Sequence, residues 1–503
     1  MERNGAAFGS FRSITGRAAG GPAADGGQNL PFVRTSRASF CNARQWQRNR
    51  FEQHPKDMEQ SGLETTTDPA DVRPRVVIVG GGFAGLYAAR ALRRAPVQVT
   101  LIDKRNFHLF QPLLYQVATG GLSPSDIASP LRRILRRQAN ARVLMGEMTG
   151  LDSDRRRVIL DNGWIEYDYL VVATGAENDY FGHDQWQQLA PGLKTVEDAT
   201  AMRARILAAF EAAEREADPA KRLEWITFVV IGAGPTGVEL AGALGEIARQ
   251  TLKNDFRSIK PEQARILLLD AGDRVLAGYP EDLSEKAERH LISLGVRARC
   301  GLRVEDVTED GVWVRRRDGG REWISARTVL WAAGVRASGA GQILREEAGA
   351  ELDRRGAVRV AADLTISGHG EIFVAGDLAH VEDEDGRLVP GVAPAAIQMG
   401  VFVAQAIERR LRGEDAGTFQ YRDKGSLAVI GRHAAVAWFG RLRFGGVVAW
   451  LAWLFIHIVY LIGYQNRLLV LMQWALKYLT FNPRARLITG EAVEAPKAAR
   501  VEG

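Results

Sequence analysis

The sequence predicts an α/β protein with two strand–turn–helix domains, one inserted in the other, followed by a helical C-terminal module. Three observations predict it. Two strand–Gly-rich turn–helix units start at Arg75 and Trp225, about 150 residues apart. A late apolar strand ends in Gly376-Asp377, after the second unit. Beyond Tyr421 the chain becomes rich in Trp, Leu and Ile and almost loses its acidic residues. A spacing this long separates domains and is not the period of a repeat array.

The 503 residues suggest two or three domains, and a 46% hydrophobic content allows a large core. Formal net charge is +6, and only 10 of the 66 basic residues are Lys. A basic surface suits nucleic acid or anionic lipid. The Arg-rich segment lacks interleaved aromatics and no nucleic-acid module is recognisable, so no nucleic-acid partner is expected. Cys41 and Cys300 form no CxxC pair, which argues against a redox dithiol and a cysteine zinc site. So few cysteines fit a reducing compartment.

Residues 1–74 differ from the rest. The first 50 carry eight Arg, no Lys, and only Glu2 and Asp25 as acids. That composition fits a disordered tail and equally a targeting segment. It contains no apolar core of the secretory kind.

Ordered structure should begin at Arg75. Arg75–Val79 is a β-branched run that ends in Gly80-Gly-Gly82-Phe-Ala-Gly85, and Phe83–Arg94 is helical by pattern. Gly80 permits a tight turn, Gly82 lets backbone approach a pyrophosphate, and Gly85 lets the helix pack against the sheet. The helix N-terminus offers free N–H groups and a positive dipole end to phosphate. Strand Val97–Asp103 follows, and Asp103 is placed to accept from ribose hydroxyls. Strand, turn, helix, second strand and terminal acid in order make a dinucleotide fingerprint, where glycines alone would be weak. Tyr167–Gly175 is a further buried strand ending in a turn.

The second unit repeats this. Strand Trp225–Gly232 leads into Gly232-Ala-Gly234-Pro-Thr-Gly237, helix Thr236–Arg249 and strand Ala264–Asp270. Asp270 lies further on than the usual spacing of about 20 residues, because Thr251–Gln263 is inserted. A carboxylate there bonds a ribose 2′-hydroxyl and repels a 2′-phosphate, which favours NADH; Arg274 nearby leaves NADPH open. Val329–Gly334 is the counterpart of Tyr167–Gly175.

Two fingerprints imply two dinucleotides. FAD with NADH gives a hydride path from nicotinamide to isoalloxazine. Gly376 and Asp377 assign them, since an acid at a late strand end can accept a flavin ribityl hydroxyl. A helix N-cap is the other use of Asp377. The expected limits are 75–190 and 351–425 for the two parts of the FAD domain and 191–350 for the inserted NADH domain. A membrane-anchoring region over 426–490 and a flexible tail over 491–503 complete the chain.

These stretches resemble the type II NADH dehydrogenases, the single-chain NADH:quinone oxidoreductases. The resemblance runs from about Arg75 to Gly490 and rests on Phe107–Gly120 (FHLFQPLLYQVATG), Ala173–Gly182 (ATGAENDYFG), Ala190–Ala199 (APGLKTVEDA) and Ile231–Gly242 (IGAGPTGVELAG), with Phe444–Gly490 like the family's membrane-binding region. It implies two Rossmann-like domains, tightly held FAD, a membrane-attachment module, a quinone acceptor and no proton pumping. Gly80, Gly82, Gly85, Asp103, Gly376 and Asp377 would hold FAD, and Gly232, Gly234, Gly237 and Asp270 would hold NADH. Glu239 matches the family's acid near the nicotinamide or on a proton relay. It also lies in the first helical turn, where the dipole favours a carboxylate anyway. Gln398 matches the second Gln of the family's quinone pattern Ala-Gln-x-Ala-x-Gln, and Pro394 replaces the first. That replacement puts the quinone contacts at 394 in doubt.

Gly445–Ile462 spans 18 residues with His457 as its one strongly polar side chain, the lower limit for a membrane-crossing helix. Trp450, Trp453, His457, Tyr460 and Tyr464 share a helical stripe, which suits an interface. In the next segment, Arg467–Phe481, Asn466, Gln473 and Lys477 face away from an apolar side. Residues 420–490 carry nine Lys/Arg against one acid, Asp423. The expectation is a monotopic anchor on anionic lipid at the cytoplasmic face of a bacterial cell membrane, ahead of the inner mitochondrial membrane. A homodimer interface is the other use of such a face. Two alternatives to the quinone reductase remain: a soluble FAD/NAD(P)H reductase of another acceptor such as ferredoxin, and a low-turnover nucleotide-binding regulator.

Overall fold

The computed structural model describes residues 72–461, 467–472, 474 and 486–488. The expectations for the Arg-rich segment up to residue 71, for Tyr464, Asn466, Gln473 and Lys477, and for the tail 491–503 lie outside the described residues.

The first Gly-rich unit is β1 (Arg75–Val79), α1 (Phe83–Ala91) and β2 (Gln98–Asp103), followed by β3 (Ala141–Met145) and β4 (Tyr169–Val172). The chain leaves this domain through β5 (Ala176–Asn178) and α2 (Val196–Arg215). The second unit is β6 (Thr227–Ile231), α3 (Pro235–Glu246) and β7 (Arg265–Asp270), continued by α4 (Glu281–Ser293), β8 (Val296–Cys300) and β9 (Thr328–Trp331). It returns through β10 (Val335–Ala337) and α5 (Ala340–Ala348) to β11 (Thr365–Ile366), β12 (His369–Val374) and α6 (Ala393–Leu411).

The first sheet has the order β11-β12-β4-β1-β2-β3, parallel except for β11 against β12. Its strands are near-continuous Val, Ile and Leu because both faces are covered. Val76 and Ile78 point towards α1 and α6, while Val77 and Val79 point towards α5 and the antiparallel strands of residues 148–166. The second sheet, β8-β7-β6-β9, is all parallel. Phe228 and Val230 join the core with α2, α3 and α4, and Val229 and Ile231 join the antiparallel strands of residues 302–325.

The chain passes between the two sheets twice, and the two passes pair with each other. β5 runs antiparallel to β10, with Ala176 opposite Ala337 and Asn178 opposite Val335. Tyr180, Trp186 and Ala190 pack with the second sheet, and Ala340, Leu344 and Ala348 of α5 pack into the first domain's core. The crossings therefore lie at 176–178 and 335–337, where neither has a composition signal; the expected limits were 190 and 350.

The C-terminal module opens as a sheet where a helical module was expected. β13 (Ser426–Gly431), β14 (Ala434–Phe439) and β15 (Leu442–Gly446) form an antiparallel meander before α7 (Val447–Tyr460). The meander docks against α3 so closely that a Cβ at Gly242 would strike the Ile430 carbonyl oxygen. The expected aromatic stripe points inward, not to an interface. Trp450 and Trp453 are buried, Trp453 lies 5.3 Å from Trp474 between ring centroids, and His457 meets Phe110 edge-on at 6.1 Å. Large aromatic area is worth most in a core, and α7 turns its mostly aliphatic side outward: Val447, Val448, Leu451 and Val459 are exposed, together with Phe455. Leu468, Leu469, Leu471 and Met472 extend that apolar surface. Among the described residues no helix is long and apolar enough to cross a membrane.

Candidate active site

The two Gly-rich turns have the same construction, and each glycine has its own reason. Gly80 and Gly232 have φ of +107° and +102°, and a Cβ on either would press into the backbone at Ala173 or Ala332. A Cβ on Gly85 or Gly237 would strike the carbonyl oxygen of Gly80 or Gly232. These four are required by the fold. Gly82 and Gly234 differ, because a Cβ there meets nothing within 4 Å. They sit at the N-caps of α1 and α3, which have no side-chain cap. Open room in front of uncapped helical N–H groups fits a pyrophosphate at each turn.

Asp103 and Asp270 close the two turns in the same way. Asp103 Oδ2 accepts from Gly81 N at 2.6 Å and Oδ1 from Arg105 N at 2.7 Å. Asp270 Oδ2 accepts from Ala233 N at 2.6 Å and Oδ1 from Gly272 N at 2.6 Å. Each oxygen keeps a second lone pair for a ribose hydroxyl. Burial raises the Asp103 carboxyl above the usual carboxylate range, against the opposing pull of the Gly81 and Arg105 N–H groups. Arg274 is engaged elsewhere: its guanidinium donates to the Tyr279 carbonyl at 2.8 Å and the Ala277 carbonyl at 3.0 Å.

His108 supports the first turn from beneath and was not singled out by sequence. Its Nδ1 donates to the Gly81 carbonyl at 2.9 Å, and its ring meets Phe83 edge-on at 5.0 Å. Burial lowers it to about 4, so the ring is neutral. Its position in the quoted Phe107–Gly120 stretch was the available signal.

Gly376 and Asp377 form a short 3-10 turn after β12. A Cβ on Gly376 would touch Ala84 of α1 at 3.3 Å and Ala396 of α6 at 3.7 Å, which brings this turn beside the first fingerprint. Asp377 does not cap α6, whose N-cap is Val392. Its nearest cation is Lys194 at 3.9 Å, a second residue missed by sequence although it stands in the quoted Ala190–Ala199 stretch.

Glu239 lies one turn into α3 and lines a small cleft of about 40 Å³ with Tyr115, Gln116, Thr119, Glu246 and Trp453. Its carboxylate accepts a long hydrogen bond from Val429 N at 3.5 Å. Surrounded by protein on the way to the cleft, its carboxyl is pushed up to about 8 by burial, with the Val429 N–H opposing. Glu246, two turns further on, instead accepts from Arg432 N at 2.5 Å. Trp453 lines the same cleft, and its buried indole N–H has no acceptor among the described residues.

Gln398 is not in this cleft. Its amide donates to the Arg422 carbonyl at 3.0 Å and to the Pro394 carbonyl at 3.1 Å, and accepts from Arg422 N at 3.0 Å. It ties α6 to the irregular segment that leads into the C-terminal meander. Pro394 occupies the first turn of α6, where its missing N–H leaves no helical bond unmade.

Residues 74–400 match the family model for pyridine nucleotide-disulphide oxidoreductases, and residues 424–481 match the NDH2 C-terminal domain. The chain is 47% identical over 416 residues to the type II NADH:quinone oxidoreductase NdhA of Mycobacterium tuberculosis, covering 81% of this chain and 87% of the relative. It is 45% identical over 424 residues to Ndh of the same organism, covering 83% and 90%. The solved structure of NDH2 from Plasmodium falciparum in complex with NADH superposes with a TM-score of 0.75 at 17% identity, over 83% of this chain and 100% of that one. At that identity the likeness shows the fold.

Two expected outcomes follow from the geometry. Gly82→Val places its side chain in open room, so the chain should fold with unchanged thermal stability when stripped of flavin, yet purify without bound flavin. Flavin absorbance per protein, with Gly85→Val as a misfolding control, measures this. Glu239→Gln removes a carboxyl whose folded value, about 8, stands above its ordinary 4.5. Between these values the folded state holds a proton that the unfolded state has lost, so wild-type stability falls as pH rises through the window. The glutamine variant should therefore gain in melting temperature over wild type from pH ~5 to ~9, with no gain at the acid end.

Proposed function

The chain belongs to the type II NADH:quinone oxidoreductases, and we propose how its residues divide the family's reaction. It is an FAD-dependent enzyme that oxidises NADH and reduces a quinone. FAD, when bound, supplies the chemistry: it takes up a hydride and gives up electrons. The first turn, with Gly80, Gly82, Gly85 and Asp103, holds the FAD pyrophosphate and ribose, and Gly376 and Asp377 hold its ribityl side. Lys194, 3.9 Å away, holds the Asp377 carboxylate in place. The second turn, with Gly232, Gly234, Gly237 and Asp270, holds NADH. The observation that carries this reading is the open room at Gly82 and Gly234, which the fold itself does not need.

Asp270 favours NADH over NADPH because its charge repels a 2′-phosphate, and Arg274 is held by its own loop's carbonyls and is not free to attract one. Reducing a quinone with NADH consumes one proton from solvent. Glu239 holds a proton at neutral pH beside the cleft, and we assign it to proton delivery there. Gln398 acts on the quinone side by fixing residue 422 and, through it, the entry to the C-terminal meander.

The exposed face of α7 with Leu468, Leu469, Leu471 and Met472 lies on the membrane surface in this reading, with anionic lipid drawn by the flanking basic residues. The quinone is lipophilic, so an enzyme seated there meets it where it is concentrated. The basic flanks favour the cytoplasmic face of a bacterial membrane.

The decisive measurement is steady-state oxidation of NADH and NADPH with a soluble quinone. NADH should be much the better donor, and Asp270→Ala should raise KM for NADH and narrow the preference with little change in kcat, as loss of uniform binding does. Equal kcat/KM for both donors in wild type would remove Asp270 from the ribose. The membrane assignment is tested by vesicle flotation of a Leu451→Asp/Phe455→Asp variant. It should stay with the soluble fraction and lose turnover with long-chain quinone more than with short. Undiminished flotation would place the anchor elsewhere, and a dimer that dissociates on the same substitutions would make this face a subunit interface.

A further inference from the structure

We propose that Phe181 is part of the NADH site, where its ring covers the nicotinamide half of the dinucleotide; this rests on the assignment of the second turn to NADH. Three independent features of the residue lead there. Its backbone has a φ of +52°, a left-handed conformation that is costly for a bulky side chain. Its ring is 63% exposed although large and apolar. The ring also lies on Gly334 so closely that a Cβ there would press into it, with the Cζ at 2.5 Å. Besides Gly334 the ring meets Trp331, at 6.2 Å between centroids, and a bulky residue that is strained and still largely in water belongs to the outliers that gather where a ligand is gripped.

Strand order identifies the ligand part. In β8-β7-β6-β9 the Gly-rich turn follows β6. Asp270 ends β7 on one side and so marks the adenosine ribose. A dinucleotide centred on the turn runs the other way across the carboxyl edge, over the end of β9. That edge is the Ala332–Gly334 turn, which touches Gly232 and carries Phe181. The next residues are β10, one strand of the ribbon that leads to the first domain. The nicotinamide half is the part that must point towards that domain. Phe181 is held over it from the other strand of the ribbon: its N–H donates to Asp179 Oδ1 at 2.8 Å, and the Asp179 carbonyl accepts from Trp331 Nε1 at 2.9 Å. Neither bond uses the ring. The loop is fixed by backbone and Asp179, and the ring, resting on Gly334 and Trp331, keeps its exposed face for the ligand.

This separation gives a sharp test. Phe181→Gly removes the ring and also relieves the backbone, since glycine adopts this φ without cost. On the holoenzyme we expect full flavin content and a melting temperature equal to or above wild type. Stopped-flow reduction by NADH should show an apparent Kd raised about five-fold, the size of an aromatic contact. Reoxidation by a soluble quinone should keep its rate. Phe181→Tyr should restore NADH binding and Phe181→Asn should not, although both keep a side chain on the same backbone. An unchanged Kd in Phe181→Gly would overturn the proposal. A lowered melting temperature would overturn it too, by showing that the ring holds the loop. Wild-type flavin that NADH fails to reduce would instead remove the assignment on which it rests.

Discussion

The contact between helix and strand backbone at Gly85 and Gly237 is the constraint on which the remaining structure depends. Each helix approaches the turn before it until the glycine meets the carbonyl oxygen of Gly80 or Gly232. Nothing larger than hydrogen fits. That approach aims the uncapped end of the helix at the open room beside Gly82 or Gly234. Asp103 and Asp270 then lock the turn by accepting its N–H groups. The same construction built twice gives two open, uncapped helix N-termini at the ends of two sheets, joined by a paired ribbon.

Helix α3 carries this arrangement into the rest of the molecule. Its first residues close the second Gly-rich turn, Glu239 stands one turn in, Gly242 lets the C-terminal meander dock, and Glu246 holds the backbone of that meander at Arg432. One element thus links the second turn, a carboxyl that burial pushes up, and the module that faces outward with α7. Burial raises that carboxyl, against the opposing pull of the Val429 N–H, so an ionised form there is costly.

The C-terminal module divides its residues by size and polarity. Tryptophans and His457 fill the joint with Phe110 and Trp474, where their area is best used. Aliphatic side chains and Phe455 are left outside, in a patch that a water-facing surface would not retain. A periodicity of aromatics along a helix shows that one side is special; it does not show whether that side meets lipid or the protein's own core.

Sequence by itself determined what depends on local spacing. Two glycine triplets with a strand before, a helix after and an acid at the next strand end require the turn geometry that the structure has, since the first and last glycine of each answer to a contact within a few residues or with the adjacent strand, and the middle one stands in open room. The family motifs and the late Gly376-Asp377 did the same for the order of domains. Tertiary structure decided what depends on contacts across the chain. The crossings at 176–178 and 335–337 are set by two short strands pairing 160 residues apart, from Ala176 to Ala337 at the near end, with no mark in composition. The inward turn of Trp450 and Trp453, the commitment of Gln398 to Arg422, and the perch of Phe181 on Gly334 all join residues far apart in sequence. Their partners are chosen by the packing of finished elements, and no pattern within either segment records that choice.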